Sequence, residues 1–177
     1  MTTRILTERL DLRPITLPLV EAVMRGDRAR VEEIAQAVLP AEWPGRALIE
    51  RAFSVSLEAI RADPATRLWG DRLMITREAE PRLVGSVVFH GKPDDDGVCE
   101  IGYGVEEASQ RRGFATEAVR AAVEWALGEP GVRAVQATTL CWHRASVRVL
   151  EKAGLHASGT REHEVLGELL VYERRGR

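Results

Sequence analysis

Hydrophobic and polar positions in the first third of the chain predict one strand followed by helices. Residues 10–15 alternate apolar and polar side chains, which is typical of a half-buried strand. Residues 18–26 form a helical pattern that begins at a proline and ends at a glycine. Asp27 is predicted to cap a second helix that runs to about residue 39. Residues 47–62 form a third helical stretch, which an Asp-Pro pair closes.

Strand patterns dominate the rest of the chain and are interrupted by two helices. A turn at residues 78–81 separates the first two of these strands. Three consecutive aspartates, residues 94–96, lack the rest of a calcium-binding loop, so they predict a solvated turn. The predicted strands cover residues 68–76, 83–90, 98–105, 132–140, 155–160 and 168–173, and the helices cover residues 115–127 and 145–153.

The helix at residues 115–127 has the clearest pattern, because its apolar residues recur at intervals of three and four. Gly128 and Pro130 are predicted to end it, and Gly154 is predicted to cap the helix at residues 145–153. The order of strand, helix and strand from residue 98 to residue 140 predicts a right-handed parallel crossover in a mixed α/β sheet. The apolar stripe consists of Ala115, Ala118, Val119, Ala122, Val123 and Ala126.

Length and composition predict one globular domain over residues 1–177. Apolar residues make up 45% and charged residues 29% of the chain, which is long enough to bury a core without disulfides. The 25 basic and 27 acidic residues give a net charge of −2, which argues against a nucleic-acid binder. Of the basic residues, 23 are arginine, a bias that codon preference accounts for. Arginine nevertheless binds phosphate and carboxylate better than lysine does, because its guanidinium donates two parallel hydrogen bonds.

Cysteine and histidine positions predict neither a disulfide framework nor a metal site. Two cysteines, Cys99 and Cys141, are expected to be buried free thiols. The four histidines lack zinc-binding spacing, so no metal is predicted. The N-terminus has no apolar signal segment, and no apolar run approaches the ~18 residues of a membrane span. These features predict a cytoplasmic protein without a membrane partner.

The chemistry-bearing segment lies between the strand at residues 98–105 and the clearest helix. It reads Gln110-Arg111-Arg112-Gly113 before the first helical turn. A helix N-terminus offers unpaired N–H groups and a positive dipole, and a glycine lets the backbone approach an anion closely. The segment therefore predicts a phosphate cradle, although it matches neither a Walker loop nor a dinucleotide fingerprint. A solvated loop with an ordinary turn glycine remains the alternative.

This segment resembles the acetyl-coenzyme A motif of the GNAT acetyltransferase superfamily. Residues 99–105 resemble the strand before that motif, and residues 115–118 (Ala-Thr-Glu-Ala) match the helix start of the RimJ/RimL-like branch. Residues 145–155 resemble the second cofactor helix with the following strand, and residues 7–14 resemble the N-terminal strand. The resemblance implies a mostly antiparallel mixed sheet of about seven strands, helices on both faces, and a splayed central parallel pair.

The resemblance also implies where acetyl-coenzyme A binds. Its cofactor core covers residues 83–155. Backbone N–H groups of the cradle would hold the pyrophosphate, and exposed backbone of the preceding strand would pair with the pantetheine amides. A backbone N–H there would polarise the thioester carbonyl. The implied cofactor-binding residues are Tyr103, Gly104, Val105, Arg111, Arg112, Gly113, Phe114, Ala115, Thr116, His143 and Ser146.

Glu100 is the candidate general base of the implied reaction. It is the only charged residue in an otherwise apolar or small run, at a position where many superfamily members place a strand carboxylate. Its alternative is an ordinary solvated strand residue. His163, Glu164 and Glu168, near the last two strands, are rival bases.

The helix at residues 145–153 carries Ser146 on its inward stripe, so this serine is a candidate for contacting the cofactor or protonating the departing sulfur. Helix capping is the alternative role. Where many superfamily members have a tyrosine, this chain has Leu150. His143 replaces the asparagine usual in the branch, and an imidazole reproduces only part of the hydrogen bonding of an amide.

The implied activity is direct transfer of an acetyl group from acetyl-coenzyme A to a primary amine. The acceptor would be a protein N-terminus or a small molecule, walled by helices at about residues 18–62 and by the loop at about residues 159–167. A homodimer stays open. The alternatives are a catalytically silent acyl-coenzyme A-binding module and an interaction protein that binds no coenzyme.

Overall fold

Eight strands and six helices make up the part of the chain described by the computed structural model, residues 4–44 and 57–176. The strands are β1 (Ile5–Leu6), β2 (Leu10–Pro14), β3 (Arg72–Thr76), β4 (Leu83–Phe89), β5 (Val98–Val105), β6 (Ala134–Leu140), β7 (His156–His163) and β8 (Gly167–Arg175). The helices are α1 (Leu17–Met24), α2 (Arg28–Ala35), α3 (Leu57–Ala62), α4 (Pro64–Arg67), α5 (Phe114–Gly128) and α6 (Arg144–Lys152).

All eight strands belong to one sheet, in the order β1-β2-β3-β4-β5-β6-β8-β7. Neighbouring strands are antiparallel except β5 and β6, which are parallel. The predicted mixed, mostly antiparallel sheet with a central parallel pair is confirmed. The eighth strand is β1, whose two residues are too few to show an alternating pattern.

The N-terminal helices differ from their predicted limits. The Asp27 side chain caps α2 by accepting a hydrogen bond from the Arg30 amide, as predicted. Helix α2 nevertheless ends at Ala35 instead of residue 39, because Gln36 adopts a left-handed conformation with φ 48°. Of the helical stretch predicted at residues 47–62, residues 47–56 lie outside the described residues, and α3 covers the rest.

Two glycines mark further differences from the predicted limits. Strand β3 begins at Arg72 rather than residue 68, because the chain turns at Gly70, where φ is +76° and a Cβ would lie 2.4 Å from the Phe89 ring. Gly128 is the last residue of α5 instead of the residue that follows it. Gly154 has φ +88° after α6, and the next amide donates back to Leu150, so the predicted cap is confirmed.

Two hydrophobic cores lie on opposite faces of the sheet. The predicted apolar stripe of α5 is buried from Ala118 to Ala126, and it packs with α6 against β4, β5, β6 and β8. The other core lies between α1, α2, α3 and the opposite side of β3 and β4. Within the described residues, no helix is long and apolar enough to cross a bilayer. The α5 face and the opposite face therefore offer two separate approaches to β5 and β6.

Candidate active site

Strands β5 and β6 part in the middle of the sheet. Their pairing comprises only three residue pairs and ends where Glu100 faces Gln136. Beyond that point, β5 continues to Val105 and β6 continues to Leu140. Strand β4 still pairs with β5 over residues 101–105, so only one backbone edge of that segment lacks a partner strand. The predicted splay is present, and it leaves an exposed edge that an extended ligand can join.

Six successive backbone N–H groups, before and within the first turn of α5, have no acceptor among the residues that the structure describes. Among the described residues, no hydrogen bond is donated by the amides from Arg111 to Thr116. Arg111 and Gly113 adopt left-handed conformations, with φ 62° and 82°. Alternating conformations of this kind direct successive N–H groups into one concavity, and the helix dipole adds to its positive potential. The chain thus has the donors of an anion site where the sequence predicts one.

The side chains of this cradle are arranged around Phe114. The Phe114 ring is buried, and the guanidinium groups of Arg9 and Arg112 each lie 4.9 Å from its centroid. Arg9 also donates to the Arg112 carbonyl at 2.8 Å, while Arg112 lies 3.9 Å from the exposed carboxylate of Glu78. The Phe114 ring is packed in the core and under two guanidinium groups, so the group that Phe114 can offer a ligand is its backbone N–H.

Glu117 ties the first turn of α5 to the N-terminal strands. Its carboxylate accepts hydrogen bonds from the Thr7 hydroxyl at 2.6 Å and from the Arg9 amide at 2.8 Å. Burial alone would raise the pKa of Glu117, but the bonds from Thr7 and Arg9 outweigh it and lower the pKa. The ionised carboxylate fixes the helix end that carries the free N–H groups.

Glu100 lies on the sheet face opposite α5, at the point where β5 and β6 part. Its Oε1 accepts from the Thr138 hydroxyl at 3.1 Å, and its Oε2 accepts from the Arg161 guanidinium at 2.9 Å. The side chain of Glu100 is 22% exposed, so water reaches it. The structure thus places the candidate base beside an arginine that the sequence did not single out.

A contact between Tyr103 and Ser146 joins strand β5 to helix α6. The Tyr103 hydroxyl lies 2.9 Å from Ser146 Oγ and 3.2 Å from the Ser146 carbonyl oxygen, in the first turn of α6. The sequence predicted a role for Ser146 and for the backbone of Tyr103, but it gave no sign that these side chains meet. Leu150, where the superfamily often has tyrosine, is fully buried among apolar residues. The phenol that contacts α6 here is therefore that of Tyr103, on β5.

His143 is the N-cap of α6. Its Nδ1 accepts a hydrogen bond from the Ser146 amide at 3.0 Å. An asparagine oxygen makes the same capping bond, so the imidazole takes over this part of the amide's hydrogen bonding. Only an unprotonated Nδ1 can accept this bond.

The rival bases lie at the end of the β7–β8 hairpin. His163 Nδ1 accepts from the amides of Val165 and Leu166, both at 3.2 Å, so it closes the turn between the strands. Glu164 and Glu168 are exposed there. All three lie in or beside the hairpin turn, whereas Glu100 lies where the central strands part.

The two thiols differ from each other. Cys99 is buried, and burial raises the pKa of its thiol to about 12, so it stays protonated and unreactive. Cys141 is exposed, so its predicted burial is wrong; it lies just beyond the end of β6, outside the core.

An open groove of about 1070 Å³ lies between residues 4–9 and the outer side of α5, from Gly113 to Trp125. Glu100 does not line it, and only its end at Gly113 and Thr116 adjoins the cradle. The groove is thus separate from the opening between β5 and β6. Within the described residues, no three acidic, histidine or cysteine side chains are grouped to hold a metal ion.

The model of the acetyltransferase (GNAT) domain matches residues 9–156. The chain belongs to the GNAT acetyltransferase family. It is 30% identical over 162 residues to the uncharacterized N-acetyltransferase YjdG of Bacillus subtilis (strain 168), covering 89% of this chain and 94% of that protein. The family transfers acetyl groups, and the chain is an N-acetyltransferase.

Solved GNAT structures share the fold. An acetyltransferase from Bacillus anthracis superposes with a TM-score of 0.65 at 20% identity, covering 98% of both chains. RimL, a ribosomal L7/L12 alpha-N-protein acetyltransferase solved with coenzyme A, superposes with a TM-score of 0.64 at 16% identity, again over 98% of both chains. The GNAT resemblance stated from the sequence is confirmed, and a RimL enzyme is among the structural neighbours of this chain.

Proposed function

We propose that this GNAT enzyme transfers the acetyl group of acetyl-coenzyme A directly to a primary amine of a protein N-terminus or a small molecule. The observation that carries the proposal is the row of amides from Arg111 to Thr116, which have no acceptor in the described part of the chain, near the segment of β5 that does not pair with β6. A pyrophosphate accepts hydrogen bonds from such amides, and an extended arm with amide groups pairs with such a strand edge.

The proposed path of the donor ends at Glu100. Strand β5 runs from Val105, near the cradle, to Glu100, where the parallel pairing resumes. Five residues of extended strand cover about 17 Å, so a donor arm lying on this edge brings its acyl end to the point where the strands part. A backbone N–H of β5 would then polarise the thioester carbonyl, a contribution that is typically ~3 kcal/mol in such sites.

We assign Glu100 the role of general base, acting through water. Thr138 and Arg161 hold its carboxylate in place through hydrogen bonds to both of its oxygens. Ser146 and His143 would line the donor's side of the opening, where the Tyr103 hydroxyl meets the first turn of α6. The departing thiol is a good leaving group, so the proposal does not depend on an acid at Leu150.

Two measurements test this proposal. Acetyl-coenzyme A at 100 times its Kd should stabilise the protein by ~2.7 kcal/mol, which raises the Tm of a chain of this size by about 5–10 °C. Coenzyme release is then followed with a panel of amines. An unchanged Tm contradicts donor binding, whereas a raised Tm without turnover of any amine supports the silent binding module instead.

A glycine variant tests the cradle itself. Gly113→Ala puts a side chain where φ is +82° and only 3.2 Å from the Arg9 guanidinium. The loop must then shift, and we expect the Kd for coenzyme A to rise about tenfold, equivalent to ~1.4 kcal/mol. Gly128→Ala is the matched control, since it lies at the other end of α5 with open space around it. Equal affinities for both variants would exclude Gly113 from the site.

A further inference from the structure

A charged pair stands at the acceptor side of the opening. Glu100 and Arg161 make an ion pair of 2.9 Å on the sheet face opposite α5, where the pairing of β5 and β6 ends. The Arg161 side chain is 47% exposed, so a ligand can reach it. A half-exposed pair of this kind contributes little to stability, and its presence calls for another explanation.

The neighbouring strands hold Arg161 in one orientation. Its second terminal nitrogen donates to Gln136 Oε1 at 3.3 Å, and Gln136 Nε2 donates to Glu173 at 2.7 Å. Glu173 in turn pairs with Arg175 at 2.6 Å. The guanidinium is thus positioned by hydrogen bonds to two strands, β5 and β6, and β8 holds Gln136; it has more N–H groups than these bonds use.

The positions of the two charges match an amino acid. A carboxylate accepts a primary ammonium group, and a guanidinium binds a carboxylate through two parallel hydrogen bonds. A ligand that carries both groups close together can replace the ion pair without leaving either charge unpaired. A simple amine would pair with the Glu100 carboxylate only, and Arg161 would compete with that amine for the same carboxylate.

We propose that the acceptor is a free amino acid, a primary amine whose carboxylate lies one or two carbons from the nitrogen. Arg161 binds its carboxylate, and Glu100 receives its ammonium group. This inference rests on the proposed acetyltransferase function and narrows its acceptor class.

The protons and electrons balance in this arrangement. One ammonium proton passes through water to Glu100 and on to solvent, and the neutral nitrogen forms the new C–N bond with the acetyl carbon. The C–S bond breaks with its electron pair on sulfur, and that sulfur takes the second proton from nitrogen. Arg161 exchanges no proton, so it sets which amine is accepted rather than how the amine reacts.

Matched acceptors test the role of the carboxylate. The twenty amino acids and their amides, which lack the free carboxylate, are compared by kcat/KM together with peptides that have ordinary N-termini. We expect the best amino acid to exceed its amide by about 10- to 100-fold, the worth of a charge-assisted hydrogen-bonded pair of ~1.5–3 kcal/mol. A peptide, whose carboxylate lies far from its amine, should react like the amide.

Variants of Arg161 then separate this proposal from a structural role. Arg161→Gln should reduce the ratio of acid to amide to about one, and Arg161→Lys should keep part of it, since lysine supplies charge without the fork. Arg175→Gln is the control, because this exposed arginine ends the same hydrogen-bonded chain. The Kd for coenzyme A and the Tm are measured for all three and should stay close to wild type.

The outcomes distinguish the two proposals. Amides or peptides that react as well as amino acids, or an acid-to-amide ratio that Arg161→Gln leaves intact, would overturn the amino-acid acceptor while leaving the acetyltransferase in place. Coenzyme binding without acetylation of any amine would overturn the acetyltransferase proposal, and the acceptor proposal with it.

Discussion

The hydroxyl of Tyr103 should control donor binding more than stability. Tyr103→Phe removes two contacts, at 2.9 Å to Ser146 Oγ and at 3.2 Å to its carbonyl oxygen, and keeps the ring. A net ~1 kcal/mol per hydrogen bond gives a loss of about 1–2 kcal/mol. This link holds β5 to α6 across the opening. Without it, part of the free energy of coenzyme binding is used to order these two elements. We therefore expect the Kd for coenzyme A to rise about 5- to 30-fold.

The chain supplies a matched control in Tyr172, its only other tyrosine. Tyr172 lies on β8 near Glu151 of the same helix, α6, and it does not cross the opening. Both phenylalanine variants are compared by calorimetric titration with coenzyme A and by thermal unfolding. Each should lose at most a few degrees in Tm, while only Tyr103→Phe loses affinity.

Two outcomes would refute this reasoning. If Tyr103→Phe binds coenzyme A as tightly as wild type, the hydroxyl does not set the opening. If both variants lose affinity equally, the effect comes from general loosening of α6. Ser146→Ala adds a further check, because the carbonyl contact survives in it, so its effect should be smaller than that of Tyr103→Phe.

Two further predictions concern buried and capping groups. Burial raises the pKa of Asp71 to about 8, although a hydrogen bond of 2.7 Å from the Phe89 amide to its carboxylate lowers that pKa in part. The folded state therefore binds a proton that the unfolded state releases, and stability falls as the pH rises from about 4 to 8. Asp71→Asn should remove that slope, gaining ~1.4 kcal/mol on wild type per pH unit between pH 5 and 7 in urea unfolding; parallel curves would contradict it. His143→Asn should keep the cap of α6, whereas His143→Ala should lose ~1 kcal/mol in thermal unfolding, and equal Tm values would exclude capping.

Local sequence patterns predicted the elements that carry the proposed donor site. The limits of β5 were predicted to the residue, and those of α5 and α6 to within one residue at each end, since their stripes and caps are local signals. The anion cradle was predicted for the same reason, because a basic Gly-containing loop before a helix lies within a few residues of sequence. What these signals did not give was the conformation of Arg111, whose positive φ is unusual outside glycine.

Contacts between distant strands could not be predicted from the sequence. Arg161 lies 61 residues from Glu100, and Tyr103 lies 43 residues from Ser146. In the sheet order, β6 and β8 separate β7 from β5, so the contact between Arg161 and Glu100 depends on how the whole hairpin of β7 and β8 is placed. Among 23 arginines nothing in the local sequence marks Arg161, and a short strand such as β1 shows no periodicity at all.

The same distinction explains why the net charge of −2 says little about either site. Arg111 and Arg112 are among the implied cofactor-binding residues, yet Arg112 stacks on Phe114 and faces Glu78. The donors of the cradle that have no acceptor in the described residues are backbone amides. On the other face, Glu100 and Arg161 cancel in any sum of charges, although in our proposal this pair, 2.9 Å apart, selects a ligand that carries both signs. Ligand choice in this fold therefore depends on which charges the sheet brings together, and a variant such as Arg161→Gln should alter it where Arg175→Gln, with the same change in net charge, does not.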